Sequence, residues 1–488
     1  MYASSHSVIF YKLQDTKVTV QILSQQGVPK IVISGMASKV INESKDRIVS
    51  CLKSLNIKPK SCRTVINLMP TDIIKKDNHL ELALITAILA SYELITINHD
   101  DCFIGAIGLK GEVQPVSKVL ALVLAAKKCG CKRVFVSFSD LEKLRIINEI
   151  KVVGLKNVSQ LLSNNFKCQQ HKAAQYSIKP DNKMLSVERI SGNKAAIRAL
   201  QIAAVGYHHI FLIGPPGYGK TLLAHSLQSL LPPLSYDQVL KVAKIYSLAG
   251  DRDRVSSTPP FHQIELNTSP SAFLGNRERE IVGEAQLADG GILFLDELNR
   301  FSGDILEILT RKLDTNFTQE LMFEIPPFLL IAATNPCPCG FYGTDIRTCS
   351  CSLWQRQRYQ QKISGALLDR FDLFLNVDQS IMTDSGFTTS EKINVDSLSE
   401  QVLTARQLLQ QKIQDIKKAN ITGLKLMDDR LLSNKCMKIL NKAKNNLKLS
   451  NRVIFKTIRV AQSIAFLDGE SEILEQHLLE ALSYRRKI

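Results

Sequence analysis

Short apolar runs, separated by longer mixed stretches, mark the middle of this chain. Residues 209–213, 291–295 and 329–335 are almost entirely apolar, which is typical of strands in a parallel sheet covered on both faces. The stretches between them have helical spacing. This alternation predicts an α/β fold in which crossover helices join parallel strands.

The two ends of the chain have different patterns. Residues 18–22 and 63–68 are rich in β-branched side chains and partly alternate, which predicts strands, whereas 81–90 and 116–128 are apolar enough for buried helices. The first part of the chain is therefore α/β or α+β. From about residue 398 onward, Lys and Leu recur at helical spacing, which predicts an all-α segment.

Two polar stretches separate the three regions described above. Neither stretch has enough apolar residues to fold alone. A chain of 488 residues is also too long for a single core. We predict a first domain at residues 1–162, a linker at 163–184, a parallel-sheet core at 185–378, a polar connector at 379–397 and a helical C-terminal lid at 398–488.

The composition is that of a soluble globular protein, with 45% hydrophobic and 22% charged residues. No uncharged apolar stretch is long enough to span a membrane, and no basic segment at the N-terminus leads into an apolar one. The eleven cysteines lack the spacing of a small secreted disulfide framework. We therefore expect a cytoplasmic protein without membrane partners.

The net charge of +16 favours polyanionic partners such as nucleic acid. Half of this excess lies in residues 400–488, which carry 17 Lys and Arg against 9 Asp and Glu. A solvated basic surface on a helical segment would have the same composition. Both interpretations stay open on charge alone.

The strand predicted at 209–213 leads into a glycine-rich loop and then into a helical run. The order strand, G-x-x-x-x-G-K-T, helix is the setting of a phosphate-binding loop, where backbone N–H groups close around phosphate oxygens. Lys220 would neutralise the β and γ phosphates of ATP, and the Thr221 hydroxyl would ligate Mg²⁺. The predicted ATP-binding loop is Gly214, Pro215, Pro216, Gly217, Tyr218, Gly219, Lys220 and Thr221.

The other two apolar strands end in polar residues. Asp296 and Glu297 follow the strand at 291–295, so Asp296 would hold Mg²⁺ through water and Glu297 would polarise the attacking water. Asn335 ends the third strand, which we expect to lie between the other two. Asn335 would then reach the γ-phosphate or the water, although an Asn that only ends a strand is the alternative.

Further segments carry a resemblance to a known family. The chain reads I-S-G-A-L-L-D-R-F-D-L at 363–373, S-N-R at 450–452 and N-P-C-P-C-G at 335–340. Together with the phosphate loop, these segments resemble the ComM-type Mg-chelatase-like AAA+ ATPases. The resemblance implies an AAA+ P-loop parallel-sheet core, an all-α C-terminal lid and an N-terminal Lon-protease-like α/β domain.

The same resemblance implies roles for two arginines. Arg370 would be the arginine finger that reaches the γ-phosphate of a neighbouring subunit, and Arg452 would be the lid arginine that senses nucleotide in cis or in trans. Surface arginines in ion pairs are the alternative at both positions. The resemblance also implies self-assembly, usually as a hexamer, and action on DNA as a helicase or branch-migration factor in DNA uptake and recombination.

This sequence departs from the family pattern at three places. The family carries a basic pore hairpin just before the third strand, where this chain has residues 313–324. No Lys or Arg lies between Leu313 and Ile346, so other residues must contact DNA or that role is weakened. The paired histidines of a family loop are absent at 260–266. Leu80 and Leu120 stand where a Lon-type Ser–Lys dyad would be, and leucine has no nucleophilic atom, so we expect no peptidase activity.

Four cysteines form two C-x-C pairs separated by nine residues: Cys337, Cys339, Cys349 and Cys351. Four thiolates suit a tetrahedral, structural Zn²⁺ site. Zinc ribbons prefer two residues between paired ligands, however, so reduced free thiols stay open as the alternative.

Three further functions are compatible with these motifs. The chain could be a metal-chelatase motor, a protein-remodelling ATPase or an interaction scaffold whose ATP site is idle. The sequence indicates ATP and Mg²⁺ as ligands and favours DNA and copies of the same chain as partners. It leaves open which polymer is moved, in which direction and with which partner proteins.

Overall fold

The computed structural model describes residues 2–28, 30–36, 38–57, 62–163, 194–250, 254–313, 328–344, 347–377, 395–418, 432–447 and 449–485. All but the first residue of the predicted linker, and most of the predicted connector, therefore lie outside the described residues. The same is true of 314–327, so the segment expected at the position of the family's pore hairpin, 313–324, lies outside the described residues except for Leu313.

Close packing divides the chain into two compact units. Unit 1 consists of Met1–Lys179, Tyr236–Ser256 and Gly275–Val282, and unit 2 consists of Pro180–Ser235, Ser257–Leu274 and Gly283–Ile488. The strands of both units, in chain order, are β1 Tyr2–Tyr11, β2 Gln14–Gln26, β3 Lys30–Ser34, β4 Cys62–Met69, β5 Asp101–Phe103, β6 Ala106–Ile107, β7 Val113–Gln114, β8 Arg133–Ser137, β9 Lys151–Leu155, β10 Ile210–Ile213, β11 Phe261–Gln263, β12 Gly275–Asn276, β13 Ile281–Val282, β14 Ile292–Leu295, β15 Leu329–Thr334 and β16 Leu373–Asn376. The α-helices are α1 Lys39–Ser54, α2 Glu81–Ser91, α3 Val119–Lys128, α4 Ser159–Leu162, α5 Lys194–Gly206, α6 Lys220–Leu230, α7 Tyr236–Ala249, α8 Pro270–Leu274, α9 Gly303–Lys312, α10 Leu353–Gln361, α11 Gly365–Leu368, α12 Val395–Lys418, α13 Asn434–Asn446, α14 Asn451–Leu467 and α15 Glu475–Ser483.

Unit 1 contains a four-stranded sheet in the order β1-β2-β4-β3 and a three-stranded sheet in the order β5-β8-β9. The predicted strands at 18–22 and 63–68 are confirmed within β2 and β4, and the helix predicted at 81–90 is α2. That helix is buried on nearly every side, in agreement with its uninterrupted apolar sequence. The helix predicted at 116–128 begins only at Val119, because Lys118 has a left-handed φ of 61°.

Two segments within the range predicted for the parallel-sheet core, 185–378, pack within unit 1. Helix α7 carries Lys244, whose Nζ lies 2.6 Å from the Asp15 carboxylate. The Tyr236 hydroxyl at the start of α7 donates a hydrogen bond of 2.8 Å to the Ile146 carbonyl. The second segment is the β12–β13 hairpin, where Glu278 pairs with Lys12 at 2.8 Å.

Unit 2 is built on a five-stranded, wholly parallel sheet in the order β11-β14-β15-β10-β16. The predicted α/β fold with a parallel sheet is confirmed here, as is the position of the third apolar strand, because β15 lies between β14 and β10. Their side chains are buried along almost their whole length. In a parallel sheet all carboxyl ends meet at one edge, so the polar residues that follow these strands are brought together.

Serine N-caps begin several helices of unit 2. A serine hydroxyl accepts a backbone N–H at the start of α9, α10, α11, α13 and α14, which satisfies a donor that the first helical turn leaves free. The regular elements described after residue 394 are the helices α12 to α15, and their assignment as a nucleotide lid stays a prediction. None of the described helices is both long and apolar enough to cross a bilayer.

Candidate nucleotide site

The phosphate loop joins β10 to α6 at the carboxyl edge of the parallel sheet. Gly219, with a left-handed φ of 73°, is the N-cap of α6 and turns the chain into the helix. Lys220 follows directly, and its Nζ donates to the carbonyl oxygens of Gly214 and Pro215, both at 2.7 Å. It also donates to Asn335 Oδ1 at 3.0 Å, which ties the loop to the end of β15.

The surroundings of Lys220 suit a phosphate group. Its side chain is buried, and that burial lowers the pKa of the ammonium group, while Asp296 and Glu297 act in the opposite direction. The acceptors within hydrogen-bonding distance are neutral carbonyl and amide oxygens. A buried cation held by neutral groups is stabilised by a bound anion, so the ATP phosphates fit the position.

Thr221 and Asp296 provide oxygen atoms of the kind that Mg²⁺ prefers. The Thr221 hydroxyl donates to Asp296 Oδ2 at 3.2 Å, so a hydroxyl and a carboxylate already lie side by side. Asp296 Oδ1 accepts the backbone N–H of Glu297 at 2.9 Å. The donor set therefore fits Mg²⁺ next to the phosphate loop.

Arg300 is a neighbour of the site that was not predicted from the sequence. Glu297 has a left-handed φ of 52°, and its carboxylate forms a 2.6 Å ion pair with Arg300 Nη1. The pair is solvent-accessible, since 38% of the Glu297 side chain and 62% of the Arg300 side chain are exposed. The signal in the sequence was the spacing of three residues between Glu297 and Arg300, because this spacing places two side chains on neighbouring positions of a helical turn.

A buried polar network anchors the segment around Arg370. Asp372 accepts the backbone N–H of His209 at 2.9 Å and pairs with Lys456 at 3.1 Å. Burial alone would raise the pKa of Asp372, but Lys456, His208 and His209 outweigh burial and hold the pKa below its usual range. Two cations also donate to backbone carbonyls of this segment: Lys456 to Arg370 O, and Arg485 to Phe371 O at 3.2 Å.

The predicted arginine finger and the predicted lid arginine lie on different elements. Arg370 follows α11 and donates to the Ala366 carbonyl at 2.6 Å. Arg452 lies in the first turn of α14, whose N-cap Ser450 accepts the Val453 N–H at 3.3 Å. Their roles toward the nucleotide stay predictions.

The four predicted cysteine ligands converge after β15. The Sγ atoms of Cys337, Cys339, Cys349 and Cys351 all lie within 4.8 Å of one another. Cys337 and Cys339 are 3.3 Å apart, Cys339 and Cys349 3.5 Å, and Cys337 and Cys349 3.7 Å. Four sulfur atoms around one Zn²⁺ are about 3.8 Å apart, given a Zn–S distance near 2.3 Å, so the cluster fits a tetrahedral zinc site.

The cysteine segment also touches the phosphate loop. Gly340 has a φ of 88°, and a Cβ at this position would lie 2.6 Å from Cδ of Pro216. Any side chain at 340 would therefore collide with the phosphate loop. The cysteine cluster is thus packed against the nucleotide site.

Leu80 and Leu120, the positions expected to correspond to a Lon-type dyad, lie in the core of unit 1. Leu80 is fully buried, and 2% of Leu120 is exposed. Ser117 and Lys118, the neighbouring polar pair, are exposed. The absence of peptidase activity stays a prediction from these side chains.

The structure is consistent with a P-loop core of the AAA+ class. The features that support this class are the order of the sheet, the phosphate loop after β10 and the Asp-Glu pair after β14. Comparison with known protein families extends this assignment along the chain. Residues 186–384 match the family described as magnesium chelatase, subunit ChlI, residues 18–140 match subunit ChlI of Mg-chelatase, and residues 393–485 match the ChlI C-terminal family.

Comparison with individual proteins narrows the family. The chain is 30% identical to Competence protein ComM of Haemophilus influenzae, over 98% of this chain and 96% of that protein. It is 29% identical to uncharacterized protein YifB of Escherichia coli, over 96% and 94% of the two chains. A shorter match of 83 residues, 36% identical, covers 17% of this chain and 18% of the DNA repair protein RadA of Bacillus subtilis. The chain therefore belongs to the ComM-type Mg-chelatase-like family, which confirms the resemblance seen in its motifs.

Proposed function

We propose that this protein is an ATP-hydrolysing AAA+ motor that assembles into a ring, usually a hexamer, and acts on DNA as a helicase or branch-migration factor in uptake and recombination. The observation that carries the ATPase part is the pair of hydrogen bonds that join Lys220 to Asn335 and Thr221 to Asp296. These four residues come from the start of α6 and the ends of two strands, and each has a side chain suited to phosphate or Mg²⁺.

Each residue has a separate task in this proposal. Lys220 binds the β and γ phosphates, and Thr221 and Asp296 hold Mg²⁺, which withdraws negative charge from the phosphate oxygens when bound. Glu297 orients and polarises the attacking water, with Asn335 beside it. Arg370 enters the site of the neighbouring subunit, and Arg452 senses the nucleotide. A cytoplasmic location is in keeping with the lack of disulfide bonds among the described cysteines.

Two observations support DNA as the polymer. The chain has a net charge of +16, and the exposed side chains of Lys438, Lys442 and Lys444 lie on α13 of the basic C-terminal segment. The names of ComM and RadA concern competence and DNA repair. The test is ATP hydrolysis by the full-length protein with and without forked or single-stranded DNA, with Lys220→Ala as the background control.

We expect forked DNA to increase the ATP turnover of the wild-type protein several-fold, because ring motors couple hydrolysis to a bound polymer. No DNA binding at low salt, together with turnover unchanged by any DNA, would contradict the DNA proposal while leaving the ATPase proposal intact. An unfolded protein substrate that stimulates turnover would then favour the protein-remodelling alternative.

The basic α13 surface leads to a prediction about salt. Reversing Lys438, Lys442 and Lys444 to Glu should weaken DNA binding and lower the slope of log affinity against log salt by about 2 to 3, since each neutralised phosphate contributes about 0.7 to 0.9. Fluorescence anisotropy of a labelled oligonucleotide over a salt series measures both quantities. The matched control reverses three exposed lysines of unit 1, Lys53, Lys110 and Lys151. Equal losses in the two triple variants would contradict a specific role for α13.

We further propose that the four cysteines hold one structural Zn²⁺ per chain. Elemental analysis of protein purified without chelator should find about one zinc per chain, and Cys337→Ser with Cys349→Ser should remove it. Cys129→Ser, which lies outside the cluster, is the control and should retain the metal. A zinc content below about 0.2 per chain in folded protein that hydrolyses ATP would favour free thiols.

A further inference from the structure

Helix α10 is unusual because it has no buried residue. Its Leu353 and Trp354 side chains are each 63% exposed. The helix is held by hydrogen bonds at its ends: a capping box at Ser352, and contacts near its C-terminus from Gln360 to the Pro336 carbonyl at 3.3 Å and from Asn299 to the Tyr359 carbonyl at 2.7 Å. An exposed tryptophan on a helix without buried side chains is typical of a surface that binds a partner molecule.

The side chains of α10 and of the cysteine segment before it form three aromatic–arginine pairs. The Arg358 guanidinium lies 5.1 Å from the ring centre of Trp354. The corresponding distances are 4.3 Å from Arg356 to Tyr342 and 5.8 Å from Arg347 to Phe341. We call this set the aromatic–arginine surface: Phe341, Tyr342, Arg347, Trp354, Arg356 and Arg358.

The three charged residues of this surface are all arginines. Between Arg347 and Lys362 the sequence contains no Asp or Glu. Among the described residues, Arg347, Arg356 and Arg358 form no ion pair with a carboxylate. Their positive charge is therefore available to an anionic partner, which argues against a neutral or basic protein surface as the occupant.

Unpaired bases and phosphates match both properties of the surface. Any base can stack on an exposed indole or phenol ring, and arginines beside the rings neutralise the phosphates. Paired bases are already stacked within a duplex, so exposed rings favour a single strand. A phosphorylated or acidic peptide would satisfy the arginines but would leave the rings without flat partners.

We propose that the aromatic–arginine surface binds single-stranded DNA through stacking on Trp354 and Tyr342. The proposal rests on the proposed DNA function and provides positive charge that the stretch from Leu313 to Ile346, which contains no Lys or Arg, does not provide. The position also links DNA to ATP, because Pro336, which accepts the hydrogen bond from α10, directly follows Asn335. DNA bound to α10 would therefore contact a helix that is hydrogen-bonded to the residue after Asn335, and the Asn335 side chain contacts Lys220.

The single tryptophan of the chain makes this proposal directly measurable, since Trp354 is the only source of indole fluorescence. Adding oligo(dT) to the full-length protein with ATP should quench this fluorescence with the same midpoint as the anisotropy of a labelled oligo(dT). Trp354→Ala should weaken binding by about tenfold, within the range of one lost base stack. Arg358→Glu should weaken it by about tenfold as well, because a positive charge that neutralises phosphate is replaced by a negative one. Leu479→Ala, another exposed apolar residue, and Lys110→Glu are the matched controls and should bind normally.

The outcomes separate this proposal from the one it rests on. If oligo(dT) binds by anisotropy while Trp354 fluorescence and the Trp354→Ala affinity are unchanged, the surface is wrong and DNA binding stands. If no DNA binds under any condition, both proposals fail. If fluorescence changes with protein concentration alone and Trp354→Ala prevents assembly, the surface is a contact between subunits, and the proposal is overturned.

Discussion

Replacing Lys220 with Ala is expected to lower the affinity for ATP by at least about 100-fold, because the charge-assisted contacts of a buried ammonium group with phosphate are lost. Glu297→Gln is expected to keep the affinity within a few-fold of wild type and to reduce the rate of hydrolysis by at least about 100-fold, the usual contribution of a general base. The two variants therefore separate binding from chemistry. Titration with a fluorescent ATP analogue and a phosphate-release assay measure the two effects.

Matched controls exist for both variants. Lys435→Ala removes an exposed lysine at the start of α13, and Glu307→Gln neutralises an exposed glutamate of α9. Both should leave ATP binding and hydrolysis unchanged in the absence of DNA. Wild-type affinity in Lys220→Ala would contradict the assignment of the phosphate loop. Full hydrolysis by Glu297→Gln would show that another group activates the water.

The second large effect concerns Arg370. Arg370→Ala should reduce ATP hydrolysis by about 1000-fold, since a finger guanidinium stabilises charge that develops in the transition state. Mixing Arg370→Ala subunits with Lys220→Ala subunits should restore part of the activity. In a randomly mixed ring, about a quarter of the interfaces would combine an intact phosphate loop with an intact finger.

The control for this experiment is a mixture of Lys220→Ala and Glu297→Gln subunits. Both defects lie on the phosphate-loop side of the site, so no interface in these mixed rings can be complete. Co-assembly is checked with differently tagged subunits. Rings that contain both Arg370→Ala and Lys220→Ala subunits, yet remain as inactive as either parent, would rule out a finger donated by the neighbour.

The sheet and the nucleotide loop could be predicted because their signals are local. An apolar run specifies β10, β14 or β15 on its own, and the residue that follows each run is carried to the same edge by the parallel arrangement. The pairing of Lys220 with Asn335 follows from this geometry without knowledge of any other contact. The start of α3 was misplaced because a left-handed backbone at Lys118 leaves no pattern in neighbouring side chains.

The contacts that were not predicted join residues far apart in the sequence. Lys244 of α7 pairs with Asp15, more than two hundred positions away, and nothing local to either residue indicates it. The same holds for Lys456 and Arg485, which reach the backbone around Arg370. The aromatic–arginine pairs were missed for another reason, since an exposed Trp354 and a buried one look alike in the sequence.

The hydrogen bonds from Lys456 and Arg485 to the Arg370–Phe371 backbone affect the order in which the subunits of the proposed ring would hydrolyse ATP. They join α14 and the residues after α15 to the segment that contains Arg370. In the proposed ring, this segment completes the catalytic site of the neighbouring subunit. A shift of these helices on hydrolysis in one subunit would displace the guanidinium that its neighbour requires. Turnover would then pass from subunit to subunit in a fixed order, and weakening these two bonds would make ATP hydrolysis at the sites of the proposed ring independent.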